Sequence, residues 1–216
     1  SNISDCHFFT RAEDGDQEIK ERYGLEGKFV ISYFGAIGWV NELEYLLELA
    51  EFTEKNEKPF HYLIIGDGAR LEKLKTDVRK TGIRNVDFID HVNKYELRKY
   101  LTVIDAAYIS FARFPVLENN SPNKFFDALA SGKLVISNVR GWISDLIEAQ
   151  DCGFHYDPEH PEEALHQLEP CLKDTGLLDI RKANARKLAL SDFEREKLTG
   201  SLLQFIREQF PLRRSR

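Results

Sequence analysis

The feature that most constrains this chain is a repeated alternation of short, almost unbroken apolar runs with amphipathic stretches. "KFVISYFG" from Lys28 is followed by "ELEYLLELAEFTEK", in which Leu43, Leu46, Leu47 and Ala50 recur at helical spacing. The pattern returns in "FHYLIIG" and "ARLEKLKTDVRKTG", "VDFI" and "KYELRKYLT", "IDAAYISF" and "PNKFFDALASG", and "LVISN" and "WISDLIEAQ", with "GFHY" a sixth strand candidate. A run that is apolar on successive residues fits a strand buried on both faces, and parallel strands need crossover helices to join them. The expected fold class is therefore α/β, a Rossmann-like doubly wound parallel sheet of about six strands with extra C-terminal helices. Past Pro158 the alternation stops: 161–190 reads as two helices with a break near Thr175 and Gly176, and "DFEREKLTGSLLQFIREQF" as a final helix before a basic tail, "PLRRSR". Ahead of the first strand, 1–27 is polar and acidic, with a short helix expected at 17–23.

Composition narrows the partners. In 216 residues, 42% hydrophobic content is enough for a real core, and a net charge of -6 creates no global field to gather nucleic acid or an anionic membrane. Three cysteines, Cys6, Cys152 and Cys171, form no CxxC spacing and no even set, which points to a reducing compartment rather than a disulfide framework or a zinc site. No window approaches the roughly 18 uninterrupted apolar residues of a membrane span. A cytoplasmic location is expected, with peripheral association at the inner face of a membrane left open.

In an open parallel sheet, ligands bind beyond the carboxyl ends of the strands, so the loops leaving each strand carry the functional question. In "GAIGWVNE", Gly35 and Gly38 bracket a turn where backbone could approach a phosphate; "GDGARL" follows the next strand at Gly66. Neither has GxGxxG spacing, which argues against a nicotinamide dinucleotide site, and the glycines could equally serve only to make the turns.

"NNSPNKFFDALASGKLVIS", from Asn119, is more specific. Ser121 suits an N-cap and Pro122 the first helical position, which would leave the N–H groups of Asn123 and Lys124 at the positive end of a helix dipole. Such a terminus takes anions, and the Lys124 ammonium adds charge. Phe125, Phe126, Ala128 and Leu129 give a packing surface, while Asn120, Asn123, Lys124, Asp127 and Ser131 form a polar strip. That strip is either a solvated face with a Lys124–Asp127 ion pair or a site with a carboxylate one turn beyond an anion-binding terminus.

Taken in order, "FVISYFGAIG", "YLIIGDGARLEKL", "NVDFIDHV", "IDAAYIS", "SPNKFFDALASGKLVIS" and "VRGWISDLI" resemble segments of the retaining glycosyltransferases of the GT-B fold, family-four type. The likeness is to their C-terminal, nucleotide-sugar-binding domain, most of all to capsule and colanic-acid type members with an SPNK-like helix start. It spans 28–156, with looser agreement in the last helices; the ordered set carries it and no single motif does. The resemblance implies one half of a GT-B fold, in an enzyme that moves a sugar from an NDP-sugar to a glycan or lipid-linked acceptor in surface polysaccharide synthesis. "NISDCHFF" resembles the interdomain linker. This divides the chain into linker and lead-in (1–27), nucleotide-sugar-binding Rossmann-like domain (28–190), and C-terminal helix with basic tail (191–216). The acceptor-binding N-terminal domain is expected to lie outside this chain, which alone is expected not to turn over.

Carried over by position, Asp127 matches the second carboxylate of the family's paired-glutamate motif, which implies a hydrogen bond to ribose. At the motif's spacing ahead of it stands Asn119, with Glu118 beside it, so the first carboxylate is shifted or lost; Glu118 and Asn119 are the catalytic candidates. The amides at Asn123 and Lys124 match those that hold the diphosphate, and His91 and Val92 the segment beside the nucleobase, with Asp90 where that segment usually has glycine. Gly35, Gly38, Gly66 and Ser121 complete the expected donor-nucleotide set. The arginine and lysine that many members use on the diphosphate fall at Ala36 and Asn41, which leaves Lys124, and after it Arg140, to supply charge. No metal or other cofactor is expected, the NDP-sugar being a substrate. "DGD" at 14–16 mimics a metal motif but sits in the polar lead-in, and the six histidines show no ligand spacing. Two other readings share the α/β pattern. A GT-B-type sugar-nucleotide epimerase would need a proton-abstracting set that is not evident here. A regulatory module such as a phosphoacceptor receiver would need an acidic pair after the first strand, where Gly35 and Ala36 stand.

Overall fold

The computed structural model describes residues 5–9 and 16–209. The expected strands form as β1 (Phe29–Phe34), β2 (Phe60–Ile65), β3 (Val86–Ile89), β4 (Ala106–Ile109), β5 (Leu134–Ser137) and β6 (Gly153–His155). They pair in parallel as one sheet in the order β3-β2-β1-β4-β5-β6. The chain builds outward from β1 to β3, then returns to lay β4 on the free side of β1, which opens the crevice between oppositely directed loops at the β1/β4 boundary.

Every residue of β1, β2, β4 and β5 is buried, because helices cover both faces. Ile31 and Tyr33 of β1 face a core built with α2 (Glu44–Lys55), α3 (Leu71–Thr81) and α7 (Pro161–Lys173). Val30 and Phe34 face a second core with α4 (Lys94–Val103), α5 (Asn123–Ala130), α6 (Trp142–Ala149) and α8 (Thr175–Leu188). That is the two-sided burial that the continuous apolar runs demand. Buried leucines such as Leu46 and Leu49 of α2 contribute about 1.5–3 kcal/mol each. The described part of the lead-in joins the second core: Cys6, Phe9 and Leu25 are buried in it, and α1 (Asp16–Tyr23) packs against α4.

The break between the two late helices falls at Asp174, whose carboxylate caps α8 by accepting from the N–H groups of Gly176 and Leu177 at 2.9 and 3.3 Å. α8 is stapled to the sheet by Asp105, which pairs with Lys182 at 2.6 Å and accepts the Val30 N–H at 2.9 Å. A π turn at Ala189–Phe193 delays the final helix, α9, to Arg195–Gln209, and α9 buries none of its residues. The three cysteines are free and buried. No helix among the described residues is long and apolar enough to cross a membrane. Asp14 and Gly15 of the "DGD" and the basic tail lie outside the described residues.

Candidate functional site

The ladders of β1 and β2 run one residue past the strands, with the Gly35 N–H donating to Ile65 and the Gly66 N–H to Ile89, each at 2.9 Å. Gly66 has a φ of 146°, and a Cβ there would collide with the Gly35 carbonyl, so only glycine lets the two loops run side by side. A Cβ on Gly35 would in turn stand 3.3 Å from Cε of Lys124. These glycines do more than turn the chain: they clear a floor for a lysine that arrives from another element.

Over that floor lies a cavity of about 420 Å³. It brings together Gly35, Gly66, His91, Val92, Asn123, Lys124 and Asp127, with Ala36 and Lys94 at its edge and Phe34, Ile65 and Leu97 as its apolar wall. The N-terminus of α5 opens into it. Phe125 donates its N–H to Pro122 at 3.1 Å, and the N–H groups of Asn123 and Lys124 precede the helical ladder. The start of α5 differs from expectation by one residue. Pro122, extended at φ -78° and ψ 140°, occupies the cap position without a side-chain cap, and Ser121 is not the N-cap. Pro122 is itself extended, so the helix opens one residue after the position that Ser121 could cap.

Lys124 crosses from α5 to β1. Its ammonium lies 3.8 Å from the ring centroid of Tyr33 and donates to the Tyr33 hydroxyl, which donates onward to the carbonyl of Ala36 at 2.5 Å. Burial pushes the Lys124 pKa down to about 7 from an ordinary 10.5, because the charged form loses water without gaining a carboxylate. Burial drives the Tyr33 phenol well upward, so it stays protonated. Tyr33 was not singled out in the sequence, where its hydroxyl hides in an apolar run; the one signal was a polar tip two residues before the strand-end glycine.

Asp127 is 7% exposed and pairs with Lys94 at 3.7 Å, while Lys124 turns to Tyr33, so the Lys124–Asp127 ion pair of the solvated-face alternative does not form. Lys124 leans onto β1 while Asp127 turns toward α4. The start of α4 is fixed by a capping box: Asn93 accepts from the N–H groups of Tyr95 and Glu96 at 2.9 and 3.0 Å, and Glu96 accepts from Asn93 at 3.2 Å. That box holds His91, Val92 and Lys94 at the cavity mouth. Lys94 and Leu97 are lining residues that the sequence did not single out.

Four expected residues lie elsewhere. Gly38 caps the short turn Trp39–Asn41, its N–H donating to the Asn41 side chain at 3.3 Å. Ser121 precedes the helix without lining the cavity. Glu118 and Asn119 sit on the 3₁₀ turn Pro115–Asn119, and Glu118 lines a separate cavity together with Arg140, so Arg140 does not share the Lys124 cavity. Among the described residues, no group of three or more His, Cys, Asp or Glu side chains converges to hold a metal ion.

A switch-point crevice, a helix N-terminus with a lysine, and a carboxylate one turn further on form an arrangement that can be compared with known proteins. The C-terminal domain of the glycosyl transferase group 1 family protein LpcC from Francisella tularensis superposes with a TM-score of 0.70 at 19% identity, covering 88% of this chain and 98% of that one. The Alr3699/HepE protein of Anabaena, solved in complex with UDP, superposes with a TM-score of 0.80 at 16% identity over 95% of this chain and 56% of its own. Both likenesses establish the fold. In sequence, the chain is 21% identical over 191 residues to the alpha-D-kanosaminyltransferase of Streptomyces kanamyceticus, covering 88% of this chain and 48% of that protein, so it spans about half the length of this curated relative. The family model described as "Glycosyl transferases group 1" matches residues 15–188, and on that match the chain belongs to the group 1 glycosyl transferases.

Proposed function

We propose that this domain binds the nucleoside diphosphate part of a sugar donor in the cavity between β1, β3 and α5, as the donor half of a retaining sugar transferase. The observation that carries the reading is the convergence of the α5 N-terminus, Lys124, Asp127 and the His91–Val92 segment on one cavity. In this reading the N–H groups of Asn123 and Lys124 and the Lys124 ammonium hold the diphosphate, and Gly35 lets it approach the backbone. Asp127 accepts from the ribose hydroxyls in place of Lys94, and His91 and Val92 flank the base. Glu118 and Asn119 face the sugar end. As the bond from the anomeric carbon to the diphosphate breaks, negative charge grows on the leaving oxygen, and the same amides and ammonium stabilise it without a metal. The acceptor is a glycan or a lipid-linked sugar, and the setting is surface polysaccharide synthesis on the cytoplasmic side of a membrane. The complexes of Anabaena HepE with UDP and with UDP-glucose support the donor class.

Calorimetry with UDP, GDP and ADP, each with and without a chelator, tests the reading. Metal-independent binding of at least one of them is expected; binding of none, or strict dependence on a divalent ion, overturns it.

A further inference from the structure

Separate from the Lys124 cavity, the loops leaving β4, β5 and β6 line a second cavity of about 250 Å³. Its charged and polar lining includes Arg113, Glu118, Asn138, Arg140, His155 and Asp157. Arg113 is already neutralised, paired with Asp157 and with Glu159, the latter at 3.0 Å. Glu118 and Arg140 are not. Among the described residues neither makes a salt bridge or a side-chain hydrogen bond, although both reach the same space. His155 is half-buried, and burial together with the neighbouring Arg140 charge lowers its pKa, so its ring is neutral at pH 7.

The walls are fixed before any ligand arrives. The side chain of Asn138 accepts the Phe111 N–H and donates to the Phe111 carbonyl, each at 3.0 Å, which clamps the β4 loop to the β5 loop. The Trp142 indole donates to the Asn120 carbonyl at 2.9 Å. Gly141, at φ 140°, packs so closely on the Glu118 backbone that a Cβ would collide with its carbonyl. An uncommitted guanidinium and an uncommitted carboxylate, both on exposed residues, thus line one cavity whose loop backbones are already fixed. The guanidinium offers a planar fork of donors that matches one carboxylate, while Glu118 can only accept and so favours hydroxyl groups. A phosphate dianion fits less well: a single free cation would face it, with the Glu118 charge repelling it.

We propose that this second cavity holds an acidic sugar, its carboxylate on Arg140 and its hydroxyls toward Glu118 and His155. The inference rests on the transferase reading for the sugar, and on the geometry of the second cavity alone for the acid. It also gives Arg140 a role separate from the diphosphate.

The test is an NMR titration of the chain with methyl β-D-glucuronide, methyl β-D-glucoside and inorganic phosphate. The glucuronide is expected to shift the His155 ring resonances and to bind about tenfold more tightly than the glucoside, the worth of one charge-assisted pair. Arg140→Gln should remove that preference and Arg140→Lys should keep part of it, while both leave nucleoside diphosphate binding unchanged. Equal binding of the two glycosides, phosphate binding as tight as the glucuronide, or a preference that survives Arg140→Gln overturns the proposal. Retained glucuronide binding in a chain that binds none of UDP, GDP and ADP sinks the nucleotide reading and leaves the acid site standing. If UDP-glucuronic acid outcompetes UDP-glucose in an Arg140-dependent way, the carboxylate belongs to the donor. If the two bind alike while methyl glucuronide still binds beside UDP, it belongs to the acceptor.

Discussion

Lys124 makes nucleotide binding depend on pH in a direction that can be worked out beforehand. With its pKa near 7, about half of the empty sites carry a neutral amine at pH 7, and about nine-tenths do at pH 8. A diphosphate at the α5 terminus brings negative charge to the ammonium and lifts its pKa back toward 10.5. Binding therefore takes up about half a proton at pH 7 and about nine-tenths at pH 8, and affinity falls by up to about tenfold per pH unit from pH 8 to pH 9. The ligand does not confuse the slope, since its terminal phosphate titrates near pH 6. Calorimetry in two buffers of different ionisation enthalpy reads the proton count directly. Lys124→Met should bind more weakly at pH 6.5, show no proton uptake above pH 7.5, and lose far less affinity than the unaltered protein between pH 8 and pH 9. A flat affinity from pH 7 to 9, or uptake that persists in Lys124→Met, refutes the reasoning.

The same shift has a consequence for folding, opposite in sign to that of an ion-paired lysine. Because the folded pKa is below the unfolded one, the unfolded chain holds the extra proton between about pH 7 and 10.5, and stability rises with pH across that window. The ceiling is about 1.4 kcal/mol per pH unit, and the realised slope is smaller because the ammonium borders an open cavity. The unaltered chain should gain stability relative to Lys124→Met between pH 7 and 9 in parallel denaturant melts; a loss would count against the lowered pKa.

Three further outcomes are expected. Tyr33→Phe removes the acceptor for Lys124 and the donor to Ala36, so nucleotide affinity should fall by about 0.5–1.5 kcal/mol in calorimetry while circular dichroism shows the fold unchanged. Asp127→Asn should cost no more than about 1 kcal/mol of stability, its partner Lys94 being largely exposed, yet it should erase most of the preference for a ribonucleoside diphosphate over its 2′,3′-dideoxy analogue; an intact preference would remove Asp127 from the ribose. Gly66→Ala must push the β2 loop off Gly35 and should cost at least about 1–3 kcal/mol, read as a shifted denaturation midpoint, whereas a neutral effect would show that the loops are not tightly opposed.

The sheet was legible because two-sided burial leaves no choice of residue: a strand such as "FVISYF" must be apolar throughout, and that run cannot be hidden. The polar strip of α5 was legible as a strip, since helical spacing brings Lys124 and Asp127 to one side. Where each charge goes was not. The partners come from other parts of the chain, Tyr33 of β1 for one and Lys94 of α4 for the other, and helical spacing alone favours the local pair that does not form. Ser121 misled for a similar reason: its capping propensity is real, but the adjacent proline decides the backbone. Arg140 read in the sequence as a substitute charge for the diphosphate and Glu118 as the shifted first carboxylate, and the 3₁₀ turn carries Glu118 into a separate cavity with Arg140.

The two positions where the family's resemblance leads one to expect charge on the β1 loop explain why Lys124 is built as it is. Ala36 lines the cavity with no charge, and its carbonyl is engaged by Tyr33. Asn41 is turned inward, its side chain accepting from Gly38 and its carbonyl accepting from Ser110 at 2.5 Å, so it serves the loop and not the cavity. A permanently charged arginine on that loop would attract anions at any physiological pH. A lone buried lysine does so only once it is protonated, and an incoming anion is what favours protonation. Reintroducing the loop charge separates the two designs: in the double variant Ala36→Arg with Lys124→Met, nucleoside diphosphate binding should proceed without proton uptake and change little in affinity between pH 7.5 and pH 9, because an arginine keeps its charge throughout that range. A double variant whose affinity still falls about tenfold from pH 8 to pH 9 would mean that Lys124 is not the group that titrates.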